Sequence, residues 1–421
     1  MNNRTLQRFR VQLLSGERTL LALAFVYFFL VLASYYVLRP IRDEIGVAGG
    51  VEKLPWLFLG TLLVTIAISP LFSALVSRLP RRRFVAWSYR TMMGFLLVFY
   101  LLLRRADHAE QLWIGRVFFV WFSVFNIFVV SLFWAVMSDV FRTEQARRLY
   151  GVIGAGGTLG GLFGGLLTRS LVSVIGSVTL LLVSAVLLEL ALRCMFALTR
   201  QVAARDDVQG RLDTAVVGGG VFGGFAGVAR SPYLIAIALF MLTFTIGSTF
   251  LYFLQAQIVA GSITDRVART QYFANVDIWV NALTLLVQFV VTRQLLVKLG
   301  VARTLILLPI VSILGFTLLG FAPALSAVIV FQVVRRAGQF AITSPTREIL
   351  FVPLSREEKY KAKNFIDTFM FRTGDQIGAW SHAGLLALGL GVSGIAFAAV
   401  PLSVVWLLLA IWLGRSHERM T

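Results

Sequence analysis

Cysteine, histidine and acidic residues are all scarce in this sequence. The single cysteine, Cys194, excludes a disulfide framework and any cysteine-built metal site. The three histidines, His108, His382 and His417, are scattered, and no HExxH or GxSxG motif occurs. The expectation is a protein that is not an enzyme and holds no metal or cofactor. Charge is also thin, at 14% of residues, against roughly a quarter in soluble domains. Hydrophobic residues fill the space, at 58% with a mean hydropathy of +0.82. Such a chain is an integral membrane protein. The acidic shortfall, 20 Asp and Glu against 39 Lys and Arg, leaves a net charge of +19. In a soluble protein that surplus suggests nucleic acid. In a membrane protein the first question is whether the cations sort to one side.

Twelve apolar spans are expected, at 19–39, 55–79, 84–104, 112–139, 151–175, 177–198, 233–259, 271–297, 302–322, 324–346, 366–390 and 392–414. Each has about the 20 residues that a helix needs to cross the hydrocarbon. The first apolar run, Leu20 to Leu38, is long enough to span by itself, so no separate signal peptide is expected. With the N-terminus inside, the inner segments carry about 24 Lys and Arg, the outer loops about 6 and the spans about 9. Both termini are therefore expected in the cytoplasm, in the inner membrane of a bacterium. The bias accounts for much of the net charge, and no nucleic-acid partner is expected. The longest polar gap is charged at first and then glycine-rich ("GGGVFGGFAG"). It divides the chain into a six-helix bundle at 1–200, a linker at 201–230 and a second bundle at 231–421. An all-α membrane protein of two six-helix bundles is the plan of the major facilitator fold, whose site lies at the midplane between the halves. The expected partners are the bilayer and a small anionic solute, and the expected state is a monomer.

Nine of the basic residues inside spans stand out: Arg39, Arg90, Arg116, Arg169, Arg193, Arg293, Arg335, Arg336 and Arg372. Arg193 has Glu189 one turn away as an i,i+4 partner, and Arg169 and Arg293 are near enough to span ends to snorkel. Arg335 and Arg336 sit mid-span in "IVFQVVRRAGQFAI", where a fixed charge is expensive and usually functional. Gln332, Arg336, Gln339 and Thr343 share one helical face, with Arg335 about 100° away toward its edge. In this fold spans one, four, seven and ten line the cavity, so Arg39, Arg116 and Arg336 are expected to converge. The alternative is an internal ion pair with Asp277, Asp367 or Asp375. Span eight adds a polar stripe, Asp277, Asn281, Thr284 and Gln288, and span seven offers Thr245, Ser248, Tyr252 and Gln255. These serve either a wet interior or helix–helix hydrogen bonds. On span eleven Arg372 and Asp375 are spaced to pair, and Asp277 and Asp375 are the best proton-carrier candidates. The run "GVIGAGGTLGGLFGG" looks superficially like a nucleotide loop but opens a span. Its small-xxx-small spacings point to close helix packing instead.

Three segments carry a resemblance. "YYVLRPIRDEIG" resembles the LRDTKD motif of the ATP/ADP translocase-like nucleotide transporters of plastids and intracellular bacteria. "FWAVMSDVFRTEQARRLYGVIGAGG" resembles that family's FWxFxN and EEAKRFYPLFG segment. "SPTREILFVPLSREEKYKAKNFID" resembles its PTKEMAYIPL followed by KxKGKAAID. The matches cover about a fifth of the chain, in the right order and at the right helix ends. The resemblance implies that Arg42, Glu348, Lys361, Lys363 and Asp367 serve nucleotide exchange. Pro40 and Ile41 depart from the first motif, Arg42 stands where the motif has lysine, and Ala362 replaces a glycine. The candidate substrate ligands are thus Arg336, Arg335, Arg42, Arg39, Arg116, Lys363, Lys361, Asn281, Gln288, Tyr252 and Gln339. The candidate coupling or gating groups are Asp277, Asp375, Arg372, Glu348 and Asp367. The function expected is secondary transport of an organic anion, a nucleotide or other phosphorylated metabolite. Proton-coupled transport of another anionic solute is the alternative within transport, and a non-transporting scaffold or receptor the alternative outside it.

Overall fold

A computed structural model of the 421-residue chain describes residues 17–78, 81–203, 228, 231–354, 362–363 and 365–420. All regular elements among them are helical, as lipid requires of a chain that must satisfy its backbone internally. Helix α1 runs Glu17–Ala48, and after a 3-10 turn at Val51–Lys53, α2 spans Leu54–Arg78. Then come α3, Arg81–Arg105, and α4, His108–Val140. The long run Thr143–Ala203 is broken at Gly176, which adopts φ 78°, ψ 160°. A left-handed φ is cheap only for glycine, so α5 ends at 175 and α6 begins at 177. In the second half, α7 is Pro232–Ser262. Helix α8 starts at Arg266–Val287 and continues through a π turn at Gln288–Thr292 as far as Gly300 (φ 75°). Helix α9 takes 301–305 and Leu307–Phe321, and the stretch Val297–Leu305 meets Leu307–Phe321 at a bend of 50°. Helix α10 comprises Leu325–Gly338, a π turn at Gln339–Thr343 and Ser344–Leu350. Helix α11 joins a π turn at Ile366–Met370 to Phe371–Ala387, and α12 is Val392–Met420.

Nine described helices are long and apolar enough to cross a membrane, ten when the bent pair in α9 counts as one. Dividing the long run at Gly176 and adding α11, whose π turn splits it into short pieces, accounts for the twelve spans. The linker expected at 201–230 falls almost wholly outside the described residues, as does Lys361. Start signals follow local chemistry. Asp107 and Glu110 form a reciprocal capping box on α4, and Asp265 accepts from the Ala268 amide to open α8.

One apolar core is built from α1 and α3 to α6, with Tyr27, Phe118, Phe125 and Phe133 fully buried. Two more lie within α7 to α12, around Phe240, Trp406 and Leu413 and around Phe316, Leu319 and Phe331. A fourth joins the halves: Val47, Leu54, Leu57 and Phe119 pack with Phe253, Ala256, Val259 and Tyr272. That seal lies where α1 ends and α8 begins. The Glu44 carboxylate accepts two bonds from Arg266 there, at 2.8 and 3.1 Å. This is the sealed end of the molecule, and the end carrying Arg82, Arg142 and Arg347 is the basic end.

The glycine run sits on α5 between α1 and α8. A Cβ on Gly156, Gly160 or Gly164 would stand 2.8, 2.1 or 2.5 Å from the carbonyl oxygens of Phe25, Phe29 and Ala33 on α1. The next row, Gly161 and Gly165, meets Asn281 and Ile278 of α8 across the halves. One small-residue run therefore packs two helix pairs through dispersion, the main attraction available between helices in lipid. Gly160→Val is expected to cost about 1–3 kcal/mol or more, since backbone must move to admit it. Monodisperse yield and melting temperature in detergent check this, with Gly154→Val, whose Cβ meets nothing within 4 Å, as the tolerated control.

Candidate functional site

A cavity of about 320 Å³ lies between the halves on the basic side of the seal. Its volume is at the lower end of the roughly 300–1,000 Å³ of small-molecule sites. Five arginines line it, Arg39, Arg42, Arg335, Arg336 and Arg372, against one acid, Asp375. Four phenylalanines, Phe58, Phe244, Phe340 and Phe371, share the wall with Tyr252, Ser248 and Gln339.

Arg335 is only 2% exposed and has no acidic partner among the described residues. Neutral groups hold its guanidinium. Nε donates to the Ser312 hydroxyl at 3.1 Å, one terminal nitrogen to Ser248 Oγ at 2.8 Å and the other to the Phe244 carbonyl at 3.1 Å. The Phe244 and Trp406 rings lie 5.1 and 5.9 Å from it. Helix α10 places this side chain against α7, α9 and α12, so three spans grip it.

Arg336 is arranged differently. One Asp277 oxygen accepts from Arg39 of α1 at 2.8 Å and lies 2.9 Å from Arg336 of α10. A single carboxylate thus ties the first half to the second through two cations. The other Asp277 oxygen and one Arg336 nitrogen are buried without a partner. Such orphaned polar atoms are costly unless something else meets them.

Near the seal Arg42 donates to Asp43 at 2.7 Å and to the Tyr252 hydroxyl at 3.1 Å, and it stacks 3.7 Å above the Phe119 ring. Arg372 meets Asp375 at 3.3 Å, and Thr249 donates to the same carboxylate at 3.3 Å. Even with Asp277 and Asp43 counted behind the wall, two of the five guanidinium charges are uncompensated. The arrangement suits a small, strongly anionic solute, because guanidinium forks match carboxylate and phosphate geometry.

Of the expected ligands, Arg39, Arg42, Arg335, Arg336, Tyr252 and Gln339 come together in this cavity, with Arg372 and Asp375. The alternative weighed for Arg336, an internal ion pair, is met at Asp277. Arg116 does not converge with them: it lines a separate groove beside Trp113. Span four instead offers Ser123 to the cavity, two turns deeper along the helix. Asn281 does not line the cavity either. It packs against Gly161, and its side-chain nitrogen donates to the Asp277 carbonyl at 2.8 Å. Gln288 is exposed, at the start of a π turn. Glu348, Lys363 and Asp367 form a distinct cluster at the basic end. There Arg347 meets Asp367 at 3.2 Å and Glu348 at 3.6 Å, and Lys363 bonds Glu348. That cluster couples the end of α10 to the start of α11. Sequence reasoning missed the aromatic wall, because in a chain with 35 phenylalanines no pattern separates Phe244 or Phe340 from lipid-facing ones.

The profile described as "TLC ATP/ADP transporter" matches residues 108–418. ADP,ATP carrier protein 1 of Chlamydia pneumoniae is 22% identical over 460 aligned residues, covering 92% of this chain and 88% of that one. Two solved structures share the fold. A POT family transporter in complex with a thioalcohol-conjugated peptide has a TM-score of 0.66 at 12% identity, over 95% of this chain and 96% of that one. A bacterial homologue of the human lysosomal transporter Spinster, inward-facing and unoccupied, has a TM-score of 0.58 at 14% identity, over 96% and 97%.

Proposed function

The chain belongs to the TLC ATP/ADP transporter family, and from that premise we propose that it exchanges phosphorylated nucleotides across a bacterial inner membrane by alternating access. The observation that carries the reading is Arg335, a buried guanidinium on the cavity wall with only neutral partners. A fixed charge held without a counter-ion in a membrane helix raises the cost of folding and marks a functional position. A phosphate entering the cavity supplies the missing anion. The aromatic wall offers faces on which a base can stack, a contact worth about 1–3 kcal/mol per base in other proteins.

Alternating access follows from the Asp277 bridge. An anionic substrate competes with Asp277 for Arg39 and Arg336, one from each half. Binding therefore replaces a link between the halves with a link through the substrate. Only a ligand that binds the two states differently shifts their populations. The seal at Val47, Leu54, Phe253 and Val259 closes one end, and the cavity lies on its basic side. With the positive-inside bias, this is a conformation facing the cytoplasm.

Purified protein in proteoliposomes loaded with ADP should take up labelled ATP, and unlabelled nucleotide outside should suppress that uptake. Nucleotides should also raise the melting temperature in detergent, since a ligand stabilises the state it binds. Uptake driven by an imposed pH gradient, with no dependence on internal nucleotide, would favour the rival reading. Asp375 in the cavity wall is then its proton carrier. No response to nucleotides in either assay would overturn the nucleotide assignment.

A further inference from the structure

The groove that takes Arg116 away from the cavity has a chemistry of its own. It lies on the outer surface between α2 and α4, has a volume of about 800 Å³, and begins at the sealed end. Its mouth carries two cations, Lys53 and Arg116, and two exposed indoles, Trp56 and Trp113. Below them the lining is apolar: Leu57, Gly60, Val64 and Ile68 on one wall, Val117, Val120 and Val124 on the other. From Lys53 to Ile68 the helix rises about 22 Å, enough to cross one leaflet, about 15 Å of hydrocarbon.

Neither cation has an ion-pair partner among the described residues. Arg116 instead lies 4.7 Å from the Trp113 ring, and its Nε is buried without an acceptor. The indole N–H of Trp121, five residues further into the membrane on the same wall, also lacks one. Glu52, the neighbouring acid, does not line the groove. The mouth thus carries a pair of uncompensated cations, the floor is lined by apolar side chains, and an unpaired donor lies between.

We propose that this groove binds one anionic phospholipid from the leaflet at the sealed end. Its phosphate sits between Lys53 and Arg116, its ester carbonyl takes the Trp121 N–H, and an acyl chain runs down the groove over Gly60. Charge complementarity selects the anionic headgroup, since each cation near the surface favours an anionic lipid. The site adjoins the seam between the halves, because Trp56 also packs edge-on against Trp380 of α11 at 5.0 Å.

Native mass spectrometry of the purified protein, titrated with phosphatidylglycerol or phosphatidylcholine, tests this. One phosphatidylglycerol should bind with about a tenfold preference. The double variant Lys53→Gln with Arg116→Gln should lose the preference. Gly60→Trp should lose the bound lipid of either kind, because a Cβ there already meets Val120 at 3.3 Å and the larger ring fills the groove. If the double variant does not fold, the unaltered protein still decides. Phosphatidylglycerol should raise its melting temperature more than phosphatidylcholine does, and equal shifts would overturn the proposal. So would full retention of the preference in the double variant. A dimer of the unaltered protein that Gly60→Trp splits would make the groove an interface between copies instead.

Discussion

Arg335→Gln is expected to weaken nucleotide binding by one to two decades while leaving the melting temperature unchanged or higher. The two effects separate because Arg335 has no acidic partner among the described residues. Losing a charge-assisted bond to a phosphate removes roughly 1.5–3 kcal/mol of affinity. The free protein, by contrast, is relieved of a buried charge that only neutral dipoles stabilise. Glutamine is shorter but keeps a hydrogen-bonding head toward Ser248 and Ser312. Arg335→Lys should fall between the two, since an ammonium keeps the charge and loses the fork. Thermal shift with and without ATP, together with binding by calorimetry, measures both quantities on one preparation. Unchanged affinity would remove Arg335 from the substrate site. A large fall in melting temperature would show that its hydrogen bonds to α7 and α9 are structural.

Asp277→Asn should behave in the opposite way. Its carboxylate is 2% exposed and is the shared partner of Arg39 and Arg336. Neutralising it leaves two partly buried guanidinium groups facing each other across the halves. Removing one partner of a buried pair typically costs about 3–5 kcal/mol, so the melting temperature should drop. Adding Arg336→Gln to Asp277→Asn should restore part of it by removing one of the stranded charges. The single variant should bind ATP more tightly than the unaltered protein, because two cations no longer have a competitor. Its exchange rate should fall, because the bridge that substrate must displace is gone. A melting temperature equal to that of the unaltered protein would show that the bridge carries no load. Weaker ATP binding would reject displacement of Asp277 as the coupling step.

Much of the architecture was legible in the sequence because its signals are local. Spans of 20 or more apolar residues need only hydropathy, and a break at position 176 needs only one glycine between two such runs. The "GVIGAGGTLGGLFGG" run read correctly as packing, since its period of four repeats on one helix face whichever helix covers it. The resemblance segments lay at helix ends in the right order, and the family follows from them. The Arg193–Glu189 pair, 2.6 Å apart, was also legible, being one helical turn within a single span.

Which intramembrane arginines act together was not local. Periodicity gives the face of a residue about its own helix axis and is silent on what the neighbouring helix presents. It put Arg336 on the polar face of span ten and Arg335 at its edge. In the folded chain both reach the cavity, one paired and one not, because α7 and α9 crowd that edge with Ser248, Ser312 and the Phe244 carbonyl. It grouped Arg116 with Arg39, yet Arg116 lies in the outer groove beside Trp113 while Ser123, two turns deeper on α4, reaches the cavity. Arg39 and Asp277 are 238 residues apart, a contact that exists only once the two halves dock. The sequence by itself therefore determined that this is a membrane protein of twelve spans, through hydropathy, and of the nucleotide-transporter kind, through the three resembling segments at its helix ends. Tertiary structure alone decided which charges cancel and which is left for a ligand, because cancellation depends on distances between helices that no single helix encodes.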